Sequence, residues 1–115
     1  MINIDKSNTQ YAIASFASAV KKLNILVAEK TKNLLQEVIE EGHPNIILDL
    51  NGIAYIDSSG FGVIISLFNY AKNRDVSFIL CNVSEANMAL VKITKLNNVL
   101  KIYSDLEEAI QTIEK

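Results

Sequence analysis

Residues 45–68 read NIILDLNGIAYIDSSGFGVIISLF. Two apolar stretches flank a short polar centre, and the reading of that centre decides the fold. Asn45–Leu50 is a short run of Ile and Leu, the pattern of a strand buried on both faces. Downstream, Phe61, Ile64, Ile65, Phe68 and Ala71 recur at helical spacing, which predicts a helix over Asp57–Asn73 with that stripe inward. At the junction, Asp57-Ser58-Ser59-Gly60-Phe61-Gly62 places an acid, two hydroxyls and two glycines where strand gives way to helix. Asp57 or Ser58 suits the N-cap, because a short side-chain oxygen can accept from the unpaired N–H groups of the first turn.

The same alternation continues outward. Val76–Cys81 reads as the next strand, and Ser84 can cap a helix running to about Lys95 with Ala86, Ala89, Leu90 and Ile93 inward. Val99–Tyr103 is a short strand. Ser104-Asp105-Leu106-Glu107 is a capping box, opening an amphipathic helix on Leu106, Ala109, Ile110 and Ile113. Upstream, Val27, Thr31, Leu34, Leu35 and Val38 share one face of a helix over Ile25–Glu41, with Asn24 as its N-cap and Gly42-His43-Pro44 as its stop. Ile2 and Ile4, and parts of Tyr11–Phe16, alternate with polar residues and suggest two short strands, which would add an antiparallel edge. Strand–helix alternation from Asn45 onward implies parallel pairing through right-handed crossovers. The expected class is α/β: a mixed sheet of four or five strands with about four helices, in one domain over residues 1–115.

Composition narrows the function. The net charge is −2 with no basic stripe, so nucleic acid is not an expected partner. The N-terminus lacks an apolar signal region, and the longest apolar run is far short of the roughly 20 residues that span a bilayer. A cytoplasmic protein with no membrane insertion is expected. The single cysteine, Cys81, lies in the apolar run VSFILC and reads as a buried small residue.

Enzyme signatures are weak. Ile56 and Asp57 stand where a nucleophile elbow would need glycine before Ser58 or Ser59. The only histidine, His43, precedes Pro44 in a loop and reads as a surface residue without a base–orienter pair. There is no Walker A sequence, Gly60-Phe61-Gly62 is too short for a dinucleotide fingerprint, and potential metal ligands are scattered. No catalytic residue, metal or cofactor is expected.

What remains for the polar junction is a cap, a switch, or both. It lies past the C-terminal end of a strand, where open α/β sheets place their sites. The exposed N–H groups and positive dipole end of the helix receive anions there. A phosphate on Ser58 or Ser59 would sit beside those N–H groups and beside Asp57, changing the surface potential without unfolding anything. A second apolar row, Val63, Leu67 and Tyr70, is offset from the inward stripe and meets either a neighbouring helix or a partner.

Ile46–Gly62 resembles the core motif of STAS domains, in particular the anti-sigma factor antagonists of bacteria: an apolar strand ending Asp-Leu, a short loop, then an apolar residue, Asp-Ser-Ser-Gly, an apolar residue and Gly. Cys81-Asn82-Val83-Ser84, Thr94-Lys95-Leu96 and SDLEEA at Ser104–Ala109 resemble later steps of the same family in the same order. The resemblance implies a mixed sheet with helices mainly on one side. It also implies partner switching: unphosphorylated antagonist binds an anti-sigma factor that is also a serine kinase, a sigma factor is released, phosphorylation ends the binding and a serine phosphatase restores it. By position in the motif Ser59 resembles the phosphoacceptor, with Ser58 as its hydrogen-bonding neighbour and the fallback. Partner contact is implied for Asp57, Ser58, Ser59, Gly60, Phe61, Val63, Leu67 and Asn24. Relatives often carry Gly, an acid, Leu and Asp before the first helix; here Lys21-Lys22-Leu23-Asn24 stands in that place. Asn24 caps as well as aspartate does but brings no charge, and Lys21 and Lys22 read as a solvated loop. The alternative expectation is a STAS accessory subunit of a stress-signalling assembly or of a separate membrane transporter.

Overall fold

A computed structural model of the chain describes residues 1–114. Strands β1 (Ile2–Asp5) and β2 (Tyr11–Phe16) form the antiparallel edge that alternation suggested, with Ile4 opposite Ala14. A two-residue strand β3 (Lys22–Leu23) then leads into α1 (Ile25–Glu40). Next come β4 (Asn45–Asp49), a second two-residue strand β5 (Tyr55–Ile56), and α2 (Ser58–Lys72). The chain closes with β6 (Ser77–Cys81), α3 (Glu85–Ile93), a 3-10 turn (Leu96–Asn98), β7 (Lys101–Tyr103) and α4 (Leu106–Glu114).

The main sheet runs β1-β2-β4-β6-β7, and every pair after the first is parallel. Side chains alternate across it, as the two-residue period of a strand requires. Ala12, Ala14, Phe16, Ile46, Leu48, Phe78 and Leu80 belong to one core, shared with α1 and α2. Ile47, Ile79 and Cys81 face the other way and meet Ala109 of α4. The central strand is therefore apolar on both faces, which explains the unbroken Ile-Ile-Leu run. Burial, with the nearby Asp49 carboxylate, pushes the Cys81 thiol up to about 12; it stays protonated and is a poor nucleophile.

β3 and β5 lie outside this sheet and pair only with each other, in parallel, with Leu23 opposite Ile56. They were not foreseen, because two residues carry no readable alternation. Lys22 is thus in a strand, and the Lys21 carbonyl accepts from both Ala54 N and Tyr55 N. The pair sets α1 and α2 side by side with their N-termini level.

The helix faces differ from the expectation in two places. α2 buries Gly60, Val63, Ile64, Leu67 and Ala71, while Phe61, Ile65 and Phe68 are only half-buried. The buried face keeps Ile64 and Ala71 of the expected stripe, and the second row adds Val63 and Leu67 to it. That row packs on α1, and the Tyr70 hydroxyl donates to the Glu40 carboxylate across that contact. In α3 the face is reversed: Asn87 and Val91 are buried, and Ala86, Ala89, Leu90 and Ile93 are exposed. His43 is half-buried rather than on the surface. The α4 box sits one residue later than read: Asp105 Oδ1 accepts from Glu108 N at 2.8 Å, and Glu108 Oε1 accepts from Ser104 N at 3.1 Å.

Candidate functional site

The site is built by a strand that stops. After Ile56, the Asp57 backbone is extended and its N–H donates to Leu23 O at 3.4 Å. Asp57 is the N-cap: its Oδ1 accepts from Gly60 N at 2.9 Å, and its carbonyl accepts from Phe61 N at 3.0 Å. Those bonds satisfy the third and fourth N–H groups of the helix. The first two, on Ser58 and Ser59, have no helical partner by the geometry of a helix start, and the Asp57 side chain accepts from Gly60 N rather than from either of them.

Gly60 is required by space. A Cβ there would lie 2.5 Å from Leu23 O and 2.7 Å from Ile56 Cγ2. The first turn of α2 therefore sits directly on the β3–β5 pair. Gly62 meets nothing within 4 Å and leaves open surface instead. Ser58 is exposed and Ser59 half-buried. Consecutive helical residues are turned by about 100°, so the two hydroxyls leave the helix in different directions. Ser58 looks toward α3, whereas Ser59 is not part of that wall. Among the described residues no hydrogen bond joins the two hydroxyls, contrary to the expected pairing.

Asn24 is brought to the site by the same strand pair. Leu23 lies opposite Ile56, so the two N-caps, Asn24 and Asp57, are the next residues of two adjacent parallel strands. Asn24 Oδ1 accepts from Val27 N at 3.2 Å, which occupies the side chain as a cap while the residue stays exposed. Gly60, Val63 and Leu67 do not reach the surface: each is buried, Leu67 completely. They support the site rather than offer surface: Gly60 is seated on β3 and β5, and Val63 and Leu67 lie in the core shared with α1.

Sequence reading missed the surface that lies open instead. An apolar groove of about 480 Å³ runs between α2 and α3. Phe61, Gly62 and Ile65 form one wall and Leu90 and Thr94 the other. Tyr55, Asp57 and Ser58 stand at its end. Tyr55 is 52% exposed and Ile93 76%, and on the far side of the site Ile25 and Leu26 are 66% and 74% exposed. Large side chains this open, clustered around one polar motif, mark an interaction surface. The available signal was the excess of apolar residues in α3 over what a short edge helix can bury. Among the described residues no group of His, Cys, Asp and Glu is placed to hold a metal ion, and no helix is long and apolar enough to cross a membrane.

Comparison with known proteins agrees with this architecture. Residues 11–109 match the STAS domain family. A provisionally named anti-sigma factor antagonist of Thermotoga neapolitana is 30% identical over 82% of this chain and 84% of its own. The anti-sigma-B factor antagonist of Bacillus subtilis is 26% identical over 96% of this chain and 98% of its own. Among solved structures, a STAS domain protein from Planctomyces limnophilus superposes with a TM-score of 0.85 at 21% identity, over 97% of this chain and 96% of its own. The Bacillus cell fate determinant SpoIIAA, solved in its phosphorylated form, gives 0.75 at 18% identity, over 98% and 99%. At such identities the solved structures speak for the fold, while the match across residues 11–109 and the sequence relatives speak for descent. The chain belongs to the STAS domain family, among the anti-sigma factor antagonists.

Proposed function

We propose that this chain is one STAS domain acting in the cytoplasm as a phosphorylation-switched binding module. In its unphosphorylated form it binds an anti-sigma factor that is also a serine kinase, and a sigma factor is released. Transfer of a phosphoryl group to Ser59 ends the binding, and a serine phosphatase restores it. Ser58 is the fallback acceptor. The chain itself supplies no chemistry in this reading; it presents a hydroxyl.

One observation carries the reading: a rigidly seated Asp-Ser-Ser-Gly helix start borders an uncovered apolar groove. Burial of that groove by a partner would drive association. A phosphate on Ser59, one residue on from the groove's end at Ser58, would bring close to two negative charges beside the Asp57 cap and next to the apolar surface that a partner must desolvate. Binding is thus opposed while the fold is left intact. The relatives named anti-sigma factor antagonists support the partner class. A fold neighbour solved in a phosphorylated form supports the modification.

The test uses Ser59→Ala and Ser59→Asp as baits in extracts of the native host. Ser59→Ala is expected to retain a kinase that phosphorylates the wild-type chain on Ser59 with ATP, and Ser59→Asp to lose most of it. Aspartate brings less charge and fewer acceptor oxygens than phosphate, so its block is partial. Equal retention by both baits, or capture of a membrane transporter in place of a kinase, would overturn the proposal.

A further inference from the structure

Asn87 is the buried side chain of α3 that carries polar atoms, at 1% exposure. Its own backbone N–H is used at the cap, donating to Ser84 Oγ at 3.2 Å. Its side chain points away from the cap, toward the segment that precedes Asp57. There Oδ1 accepts from Ile56 N at 3.1 Å, and Nδ2 donates to Ile53 O at 3.4 Å.

Those partners matter because of where the segment's other bonds go. Along one edge, Ala54 N and Tyr55 N donate to Lys21 O and Asp57 N to Leu23 O, all toward β3. Along the other edge no strand follows, since β5 has β3 as its one neighbour in that sheet. A carboxamide carries the C=O and N–H of a peptide group. The single side chain of Asn87 therefore stands where a third strand would stand. Ile56 is itself buried at 1% exposure, so its N–H has no recourse to water if that acceptor is lost.

Ile56 in turn seats α2. The space a Cβ would need at Gly60 is taken by Ile56 Cγ2 and Leu23 O, so the first turn rests on Ile56 directly. A displacement of Ile56 must move the turn that holds Ser58 and Ser59. We propose that Asn87 is a positioning residue for the acceptor serine: its carboxamide fixes Ile56, and Ile56 fixes the direction in which the first turn of α2 presents its hydroxyls. The same helix turns Leu90 and Ile93 outward, so Asn87 also joins the open apolar face to the acceptor. The positional part stands on geometry alone; its consequence for phosphoryl transfer rests on the function proposed above.

Two variants separate the parts. Asn87→Leu keeps the approximate volume and removes both hydrogen bonds. Asn87→Asp keeps the acceptor, and burial favours its neutral carboxyl, which can both accept and donate as the amide does. Amide hydrogen exchange followed by NMR needs no kinase. In the wild type Ile56 N–H should be protected like the ladder of the main sheet; fast exchange there would overturn the proposal outright. In Asn87→Leu, exchange at Ile56 and Gly60 should rise about tenfold or more while β4 and β6 keep their protection. In Asn87→Asp it should stay near wild type. With the kinase captured on the Ser59→Ala bait, phosphorylation of Asn87→Leu should fall about tenfold and that of Asn87→Asp should be largely kept. A merely structural residue would loosen the whole fold when replaced by leucine, raising exchange in β4 and β6 together with Ile56; positioning confines the rise to Ile56 and the first turn of α2. A uniform rise across the main sheet would overturn the proposal. Wild-type chain that is never phosphorylated, with exchange behaving as stated, would sink the switch and leave the positional link standing.

Discussion

α2 and α3 form the two walls of one groove, and they meet the rest of the molecule in opposite ways. α2 is enclosed between the sheet and α1, burying Gly60, Val63, Ile64, Leu67 and Ala71, and its first turn is pressed onto the backbone of β3. α3 lies at the edge, beside the two-residue strand β5, and buries Asn87 and Val91 while Leu90 and Ile93 face solvent. The enclosed helix is suited to hold a hydroxyl still. The edge helix is suited to offer apolar surface. A binding module that is switched by a small charge needs both, side by side.

Substitutions that respect or violate this contrast give graded outcomes. The largest is Gly60→Ala, which puts a Cβ 2.5 Å from a backbone oxygen. It should lower unfolding free energy by about 2–3 kcal/mol in urea titration, because backbone cannot yield as a side chain can; an unchanged midpoint would mean that α2 is not seated on β3. Removing the caps should cost less and should fall on both helices alike. Asp57→Ala and Ser84→Ala each lose the acceptor for one N–H of the first turn, for about 1 kcal/mol. A much larger loss for Ser84→Ala would show α3 to be more than a lightly held flank.

Gly62→Ala should go the other way. Its Cβ would meet open space, so helix propensity alone acts and stability should rise by about 0.5–1 kcal/mol. The pair Gly60→Ala and Gly62→Ala, two positions apart with opposite signs, tests the contrast within a single helix. The smallest stability effects belong to the open face. Leu90→Ser and Ile93→Ser should each stay within about 0.5 kcal/mol of wild type by thermal or chemical denaturation. Both should nevertheless weaken capture of the kinase by the Ser59→Ala bait. A loss of several kcal/mol would mean that the residues belong to the core after all.

The contrast also marks what the sequence made legible. The strands of the main sheet were visible because Ile46-Ile47-Leu48 and Phe78-Ile79-Leu80 are apolar on both faces, a pattern that flanking helices require. The cap at Asp57 was visible because its chemistry is local: an oxygen three residues before the N–H it accepts from. α3 was misread because periodicity identifies an apolar stripe but not the direction it faces. Ala86, Leu90 and Ile93 form a sound helical row, yet the neighbour that would cover it is absent from the fold. Asn87 was missed for the complementary reason: its value lies in two backbone groups more than thirty residues away in the chain, which only the tertiary structure brings near. β3 and β5 were missed because two residues are too few to show a period. Local chemistry made the polar junction a candidate switch as well as a cap; the resemblance of Asp57-Ser58-Ser59-Gly60 to the antagonist motif added which serine and which class of partner to expect.

The proposed switch places the point at which binding is turned off at Ser59. Site-mapped mass spectrometry of the chain isolated from its native host, with serine phosphatases inhibited, tests this most directly. The expected result is a single phosphate, on Ser59, that disappears when phosphatase activity is restored. A chain unmodified at both Ser58 and Ser59 under every growth condition would contradict the account and leave the motif as a helix cap beside a docking surface.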